Sequence, residues 1–330
     1  MAATKVGAAT PPEPESAPRP ATAVPAPGGV LKPTGVQRLN SPTDAPAVRE
    51  KNAQAIRPEP APRAGAGAGA GAVATAEDLL LLLETADADL RTLQAQVVYD
   101  RTFAIQGDRQ VRIGRLYFES ADGAARGAGD NAERTSRARR FAIEFERLLV
   151  GDREENVAGA KRSYIFDGEW LVEKDPSSKL FMKRQIAPPG QPFDALRIGE
   201  GPMPIPIGQR RADILARFDA TLLPPDDGLD DDGLKSFVKD SVQLKLVPKA
   251  ERMKLEKFVE IRLWYRRAEQ LAGKPYLPRM AKTINQDEDE SVVRLIDVKL
   301  NSELPKGVIS VAEPPKDAGW EVKVEAYRGE

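Results

Sequence analysis

The sequence predicts a mainly β protein: one curved antiparallel sheet of about ten strands with a helical lid, preceded by a disordered tail. Three observations predict it. The first 75 residues hold 13 of the 28 prolines and no Phe, Tyr or Trp. From Val97 onward, apolar residues recur at a spacing of two in short runs broken by turn residues, the pattern of half-buried strands. A stretch rich in Pro, Gly and Asp, 188–235, divides those runs into two groups.

Residues 1–75 read as a tail or linker and 76–330 as the folded domain. A segment without aromatics and with few large apolar residues buries too little surface to offset its ordering entropy. Residues 64–72 read AGAGAGAGA, a tether or a tolerated expansion. No strand precedes that run, so it is not a dinucleotide loop.

The folded part opens on a helix. Leu79, Leu82, Leu83, Ala86, Leu90 and Leu93 recur at helical spacing, with Thr75 placed to cap the helix and Asp78 three residues on. This stripe is the expected lid. The period then switches to two. Val97, Tyr99, Phe103 and Ile105 share one face of the first strand, with Arg101 interrupting them. Gln106-Gly107-Asp108 turns the chain into the run from Val111 to Phe118, whose Val111 and Ile113 are assigned to the same face and whose Arg115 interrupts in turn. A loop is expected over 122–134. Phe141, Ile143 and Phe145 alternate in the next strand. Asp167-Gly168 is a hairpin turn between Tyr164-Ile165-Phe166 and Trp170-Leu171-Val172, and Leu180 to Ile186 pairs next.

Prolines 188, 189, 192, 202, 204 and 206 keep the middle out of a sheet interior. Short helices are expected near 193–197 and 210–218. Strands resume with Leu244 and Leu246 inward, then Ile261 and Leu263, then 276–285 and 291–301 about a polar tip at 286–290. Residues 321–327 close the chain. Meander connections imply antiparallel pairing, and a sheet of this size curls.

Composition narrows the chemistry. There is no cysteine and no histidine. Disulfides, thiolate catalysis, zinc sites built on Cys and the Ser-His-Asp triad are excluded. No catalytic residue, metal site or cofactor is assigned. A carboxylate-based hydrolase stays as a distant reading, since no pair of acids is placed by spacing. The acidic run from Asp226 to Gly233 fits no frame of a calcium-binding EF-hand loop and reads as solvated. A formal net charge of −1 supplies no field for nucleic acid. The longest Leu run, Leu79 to Leu83, falls far short of the ~20 residues that cross a bilayer, so the chain is not read as transmembrane. The N-terminus MAATKVGAATPPEPESAPRP has no apolar core of a signal peptide. The sequence as given therefore leaves the cytoplasm open, or lacks its signal.

The order of elements, with three local matches, resembles the outer-membrane lipoprotein carrier (LolA-like) family. The matches are Phe166-Asp167-Gly168-Glu169-Trp170 followed by Lys179-Leu180-Phe181; Val242-Gln243-Leu244-Lys245-Leu246-Val247-Pro248-Lys249; and Asp297-Val298-Lys299-Leu300-Asn301 leading into Val311-Ala312-Glu313-Pro314-Pro315-Lys316-Asp317-Ala318. The resemblance spans residues 77–327. It implies an unclosed β-barrel with a helical lid and a periplasmic, non-catalytic carrier of acyl chains. It also implies relatives with other roles, among them lipid-binding lipoproteins and envelope-stress sensors. The carriers have an Arg-Pro pair just after the second strand, tied to cargo transfer and lid closure. Here Leu116-Tyr117-Phe118-Glu119-Ser120-Ala121 stands there instead.

Two readings of the inner face follow. Val97, Tyr99, Phe103, Ile105, Val111, Ile113, Phe141, Ile143, Phe145, Leu244, Leu246, Ile261 and Leu263 line a cavity for the acyl chains of lipids or lipoproteins, or they form an ordinary core filled by the helix. Arg101 and Arg115 meet a head group, or they snorkel to the rim. In the alternative role, as an envelope sensor or interaction module, the partner is a membrane-bound envelope protein. Trp264 falls out of phase with Ile261 and Leu263, which puts it on the convex face, where an exposed tryptophan would mark a partner contact.

Overall fold

The computed structural model describes residues 73–121, 138–186, 188, 196, 198 and 206–327. The chain divides into two units, Met1–Gly65 and Ala66–Glu330, and every described residue lies in the second. The expected tail up to residue 72, the loop at 122–134 and the helix near 193–197, Leu196 apart, lie outside the described residues.

The chain enters the fold through α1 (Ala76–Leu83). Thr75 caps it as a capping box: its hydroxyl accepts from the Asp78 N–H at 3.1 Å, and the Asp78 carboxylate accepts from the Thr75 N–H at 3.0 Å. The helix stops at Leu83 and Glu84–Asp89 turn, so the expected stripe to Leu93 is two structures. Ala86 and Leu90 are buried from the turn, and Leu93 belongs to the first strand. The helix itself buries Leu79, Leu80 and Leu83, while Leu82 is 45% exposed. Five consecutive leucines satisfy every helical phase at once. Docking on the sheet chose the face, and it chose Leu80 over Leu82.

The strands are β1 (Thr92–Thr102), β2 (Arg109–Ala121), β3 (Ala138–Val150), β4 (Arg153–Glu154), β5 (Arg162–Phe166), β6 (Trp170–Asp175) and β7 (Leu180–Gln185), with the helical turn α2 (Val157–Ala160) between β4 and β5. Then come α3 (Arg211–Leu215), β8 (Phe218–Leu223), α4 (Asp232–Val238), β9 (Val242–Pro248), β10 (Phe258–Arg267), β11 (Tyr276–Asn285), β12 (Glu290–Leu300) and β13 (Glu321–Glu325). They form one 13-stranded sheet in the order β13-β7-β6-β5-β3-β2-β1-β12-β11-β10-β9-β8, with β4 beside β3. The sheet is open and curved, and its end strands β13 and β8 do not meet. The expected ten strands become thirteen because β4, β8 and β13 lie in stretches whose alternation is short. β13 also departs from the antiparallel rule: it runs parallel to β7, Glu321 opposite Leu180. A long excursion of chain, 301–320, makes that crossover sterically open.

Two meanders, β1–β7 and β8–β12, are joined by the pairing of β1 with β12, Val97 opposite Leu295. The Asp167-Gly168 turn links β5 and β6 as expected. Gly168 has φ 109, and the Asp167 carboxylate accepts from the N–H groups of Glu169 and Trp170. The acidic run yields α4, capped by Asp231, whose side chain accepts from the Leu234 N–H at 2.7 Å.

Both faces of the sheet are covered. On the convex side the C-terminal segment lays Leu304, Val308, Ile309, Val311 and Trp320 over Tyr117, Ala142, Ile165, Val172 and Phe181. Further along, Leu229, Leu234, Phe237 and Val238 cover Trp264, Met280 and Val292. Trp264 is thus on the convex face but fully buried, and its indole N–H donates to the Pro225 carbonyl at 2.7 Å. The expectation of an exposed contact there is corrected: α4, itself unread in the sequence, covers it.

One ion pair ties the β9–β10 loop to the start of β8. Arg217 donates twice to the Glu256 carboxylate, at 2.9 and 2.5 Å, and the Glu256 side chain is 4% exposed. The Arg217 guanidinium holds this carboxyl below its ordinary value of 4.5 against the opposing effect of burial. A carboxyl depressed in the folded state contributes stability that is complete above its unfolded value and is lost as pH falls through the folded value. Urea unfolding midpoints are therefore expected to drop as pH falls below 4.5. Glu256→Gln is expected to flatten part of that slope; an identical slope in the variant would dismiss the pair as a contributor.

Candidate functional site

The concave face follows from strand register. Residues directly opposite in a ladder share a face. Val97 on β1 faces Gly114 on β2 and Leu295 on β12; Tyr99 faces Arg112 and Val293; Arg101 faces Gln110 and Ser291. On β3, Phe141, Ile143 and Phe145 stand opposite Phe118, Leu116 and Gly114, and opposite Phe166, Tyr164 and Arg162 on β5. On the other half, Leu244 and Leu246 face Leu263 and Ile261. These side chains make two concave clusters. One is centred on Val97, Leu116, Phe118, Phe141, Ile143, Phe145 and Phe166. The other is centred on Leu244, Leu246, Ile261, Leu263 and Phe218.

Five expected positions lie elsewhere. Val111 and Ile113 stand opposite Asp100 and Val98, on the convex face. The pairing of Thr102 with Arg109 leaves a six-residue connection, 103–108. An even connection places the odd positions of β1 on the same face as the even positions of β2. Counting that connection would have selected Gly114, Leu116 and Phe118 instead. Ile105 is 80% exposed at the hairpin tip, and Phe103 lies past the end of β1 with the Arg101 guanidinium 4.3 Å from its ring centroid. Alternation stops where the strand stops. Arg115 is exposed, on the convex side opposite Gln96.

A roof of short pieces lies on the concave face. Leu79, Leu80 and Leu83 of α1, Ile214 of α3 and Ile198 pack on the second cluster. Ala86, Leu90, Leu196, Ile207 and the β10–β11 loop residues Ala268 and Leu271 pack on the first. In this state the face is filled: Val97, Phe141, Leu244, Leu246 and Ile261 have no exposed surface. Polar ties also hold the roof. Arg139 of β3 pairs with the buried Asp87 at 2.9 Å and donates to the Gly208 carbonyl at 2.6 Å. Gly208 has φ +63, and a Cβ there would lie 2.5 Å from the Arg139 guanidinium, so the turn needs glycine on both counts. Gln209 donates to the Leu196 carbonyl, and the Arg211 N–H donates to Glu84.

Towards the β1–β2 turn the described part of the roof ends and the face turns polar. Tyr99 and Tyr164 are only half-buried. The Tyr99 hydroxyl lies 3.3 Å from Ser291 Oγ, and Arg101 pairs with Asp289 at 2.7 Å. Arg162 pairs with Asp175 at 2.5 Å and lies 3.9 Å from Glu173. Burial works to raise the Asp175 carboxyl, but hydrogen bonds from Ser177 and Arg162 outweigh it and hold it below the usual range. Burial, then the charge of Glu173, pushes the Tyr164 phenol up. Burial pulls the Arg112 guanidinium down, and the cation of Arg162 adds to this. Of this polar group the sequence assigned Tyr99 and Arg101 but not Arg112 or Arg162; Arg112 falls on the concave face only once the β1–β2 register is known. An open cleft of about 580 Å³ beside the β3–β4 turn is lined by Val150, Asp152, Arg153 and Glu155, a mostly charged lining unlike that of an acyl pocket.

Among the described residues no cluster of Asp and Glu is placed to hold a metal ion, and no helix is long and apolar enough to cross a membrane. No protein-family model matches the sequence, and no curated protein matches it. The structure is similar to several solved ones at low identity. A conserved protein of Thermus thermophilus shares 13% identity over 75% of this chain and 98% of its own, with a TM-score of 0.36. A DUF1329 family protein of Desulfovibrio piger shares 14% over 71% and 95%, with a TM-score of 0.35. A LolA superfamily protein of Nitrosomonas europaea shares 11% over 72% and 98%, with a TM-score of 0.29. At these TM-scores the likenesses carry no functional weight for this chain.

Proposed function

We propose that this chain is a non-catalytic binding protein for the acyl chains of lipids or lipoproteins, working in the cell envelope. The supporting observation is the make-up of the concave face. It carries two apolar clusters that together reach across both meanders, and the described residues that pack on them belong to an eight-residue helix, a five-residue helix and isolated turns. Isolated helices of this length are unstable in water, so these pieces keep their form by resting on the sheet. A hydrocarbon tail offers the same apolar contacts, at about 0.8 kcal/mol for each CH₂ buried, and can take their place. The half-buried Tyr99 and Tyr164 mark where a chain enters. The resemblance read in the sequence points to the periplasm as the compartment.

Native mass spectrometry of the full-length protein, with and without organic extraction, is expected to reveal bound lipid. Titration with a fluorescent fatty acid is expected to saturate at a defined stoichiometry. A protein purified empty that takes up no such probe would overturn the proposal and favour the interaction module on the same scaffold.

A further inference from the structure

We propose that Arg112 is the anchor for an anionic head group, a carboxylate or phosphate borne on an acyl chain whose tail lies on the concave face. The proposal rests on the acyl-chain reading above and adds its head-group selectivity.

Arg112 sits on β2 between Tyr99 on β1 and Leu148 on β3, on the concave side. It occupies the point where the apolar floor of Val97 and Phe145 gives way to polar side chains. Its Nη1 is buried and has no hydrogen-bond partner among the described residues. A guanidinium N–H without an acceptor is a standing cost that a ligand oxygen removes. The acids around it are already engaged. Asp175 is held by Arg162, Asp289 by Arg101, and Asp100 points to the other face and is held by Arg109. Glu173 stands near Arg162 rather than Arg112. The neighbours that act on the Arg112 charge are Arg162, Tyr164, Asp175 and Tyr99. Both nearby carboxylates, Asp175 and Glu173, lie beside Arg162, at 2.5 and 3.9 Å, and neither hydrogen-bonds Arg112 Nη1. Guanidinium binds carboxylate and phosphate through two parallel N–H···O bonds. The hydroxyls of Tyr99 and Tyr164 add donors nearby. An amphiphile would set its charge here and run its tail over Phe145 and Val97 beneath the roof.

The test uses the full-length protein and four probes that share or lack a charge and a chain: oleate, oleoyl lysophosphatidate, monoolein and inorganic phosphate. Binding is measured by displacement of a fluorescent fatty acid, and for phosphate by calorimetry. The wild type is expected to bind oleate and the lysophosphatidate at least about ten-fold more tightly than monoolein, near 1.4 kcal/mol. Arg112→Gln is expected to erase that gap by weakening only the charged probes. Arg112→Lys should keep part of it, and Lys239→Gln, exposed at the end of α4, should keep all of it. Equal binding of charged and neutral lipids by the wild type overturns the anchor and leaves the acyl-chain reading standing. A preference that survives in Arg112→Gln does the same. Inorganic phosphate binding as tightly as the lysophosphatidate overturns the amphiphile. If neither oleate nor monoolein binds, both proposals fall.

Discussion

Gly114→Ala is expected to lower the unfolding free energy by about 3 kcal/mol, the upper end of the usual cost of overpacking. Gly114 lies on β2 where the pairing with β3 shifts by one residue, between Ile113 opposite Arg147 and Gly114 opposite Phe145. A Cβ there would stand 2.0 Å from the Glu144 carbonyl oxygen and 2.7 Å from the Phe145 Cα. Both are backbone atoms in the middle of the sheet, so no flexible side chain can swing aside. The bulge has to reopen or the ladder has to part, and glycine marks such close approaches in strands. Gly159→Ala supplies the contrast. A Cβ there meets only the Asn156 carboxamide at 3.5 Å, an ordinary contact, and the change is expected to be near neutral. Urea midpoints of the two variants decide the matter. A loss below about 1 kcal/mol for Gly114→Ala would mean that the strand yields locally and that the bulge is soft.

Arg139→Ala is expected to cost about 3 kcal/mol and to loosen the roof. The Asp87 carboxylate is nearly closed to water, and Arg139 both pairs with it and bonds the Gly208 carbonyl. Removing the cation takes the Arg139 pairing from a buried carboxylate on the turn that follows α1, the piece of chain that brings Ala86 and Leu90 onto the sheet. With the turn destabilised, the concave face is expected to open more often. ANS fluorescence should rise, as it does when apolar surface becomes accessible, and an acyl probe should associate faster. The double variant Arg139→Leu/Asp87→Leu separates two causes. Replacing both partners by apolar groups is commonly neutral or stabilising, so stability should largely return. If Arg139→Ala leaves both ANS fluorescence and probe uptake at the wild-type level, the pair is structural and does not hold the roof.

How much of this was legible beforehand depends on the kind of signal. The α1 cap was readable because Thr75 and Asp78 act on each other across three residues. The β5–β6 turn was readable because Asp167-Gly168 meets the backbone demand of a tight hairpin. The inward phase of β3 was readable because Phe141, Ile143 and Phe145 alternate only with Ala142 and Glu144 across that stretch. On β2 both phases are apolar, Val111 and Ile113 against Leu116 and Phe118, and local pattern has no means of choosing. The same holds for the leucine run of α1. Arg112 was invisible as a candidate because it alternates with Val111 and Ile113, the phase that the local pattern turned inward.

The residues alone commit the chain to a β domain: no aromatics before Tyr99, alternation at period two, and turn chemistry at the right intervals. They also deny it histidine and cysteine chemistry. Three-dimensional packing settles the rest: which phase of β2 faces inward, that α4 and the C-terminal segment cover the convex side, and that Arg112 stands where the oily face ends. The reason is that alternation is a property of one strand, whereas a face is a property of neighbours. A shift of a single residue in one connection exchanges inside for outside along the whole strand.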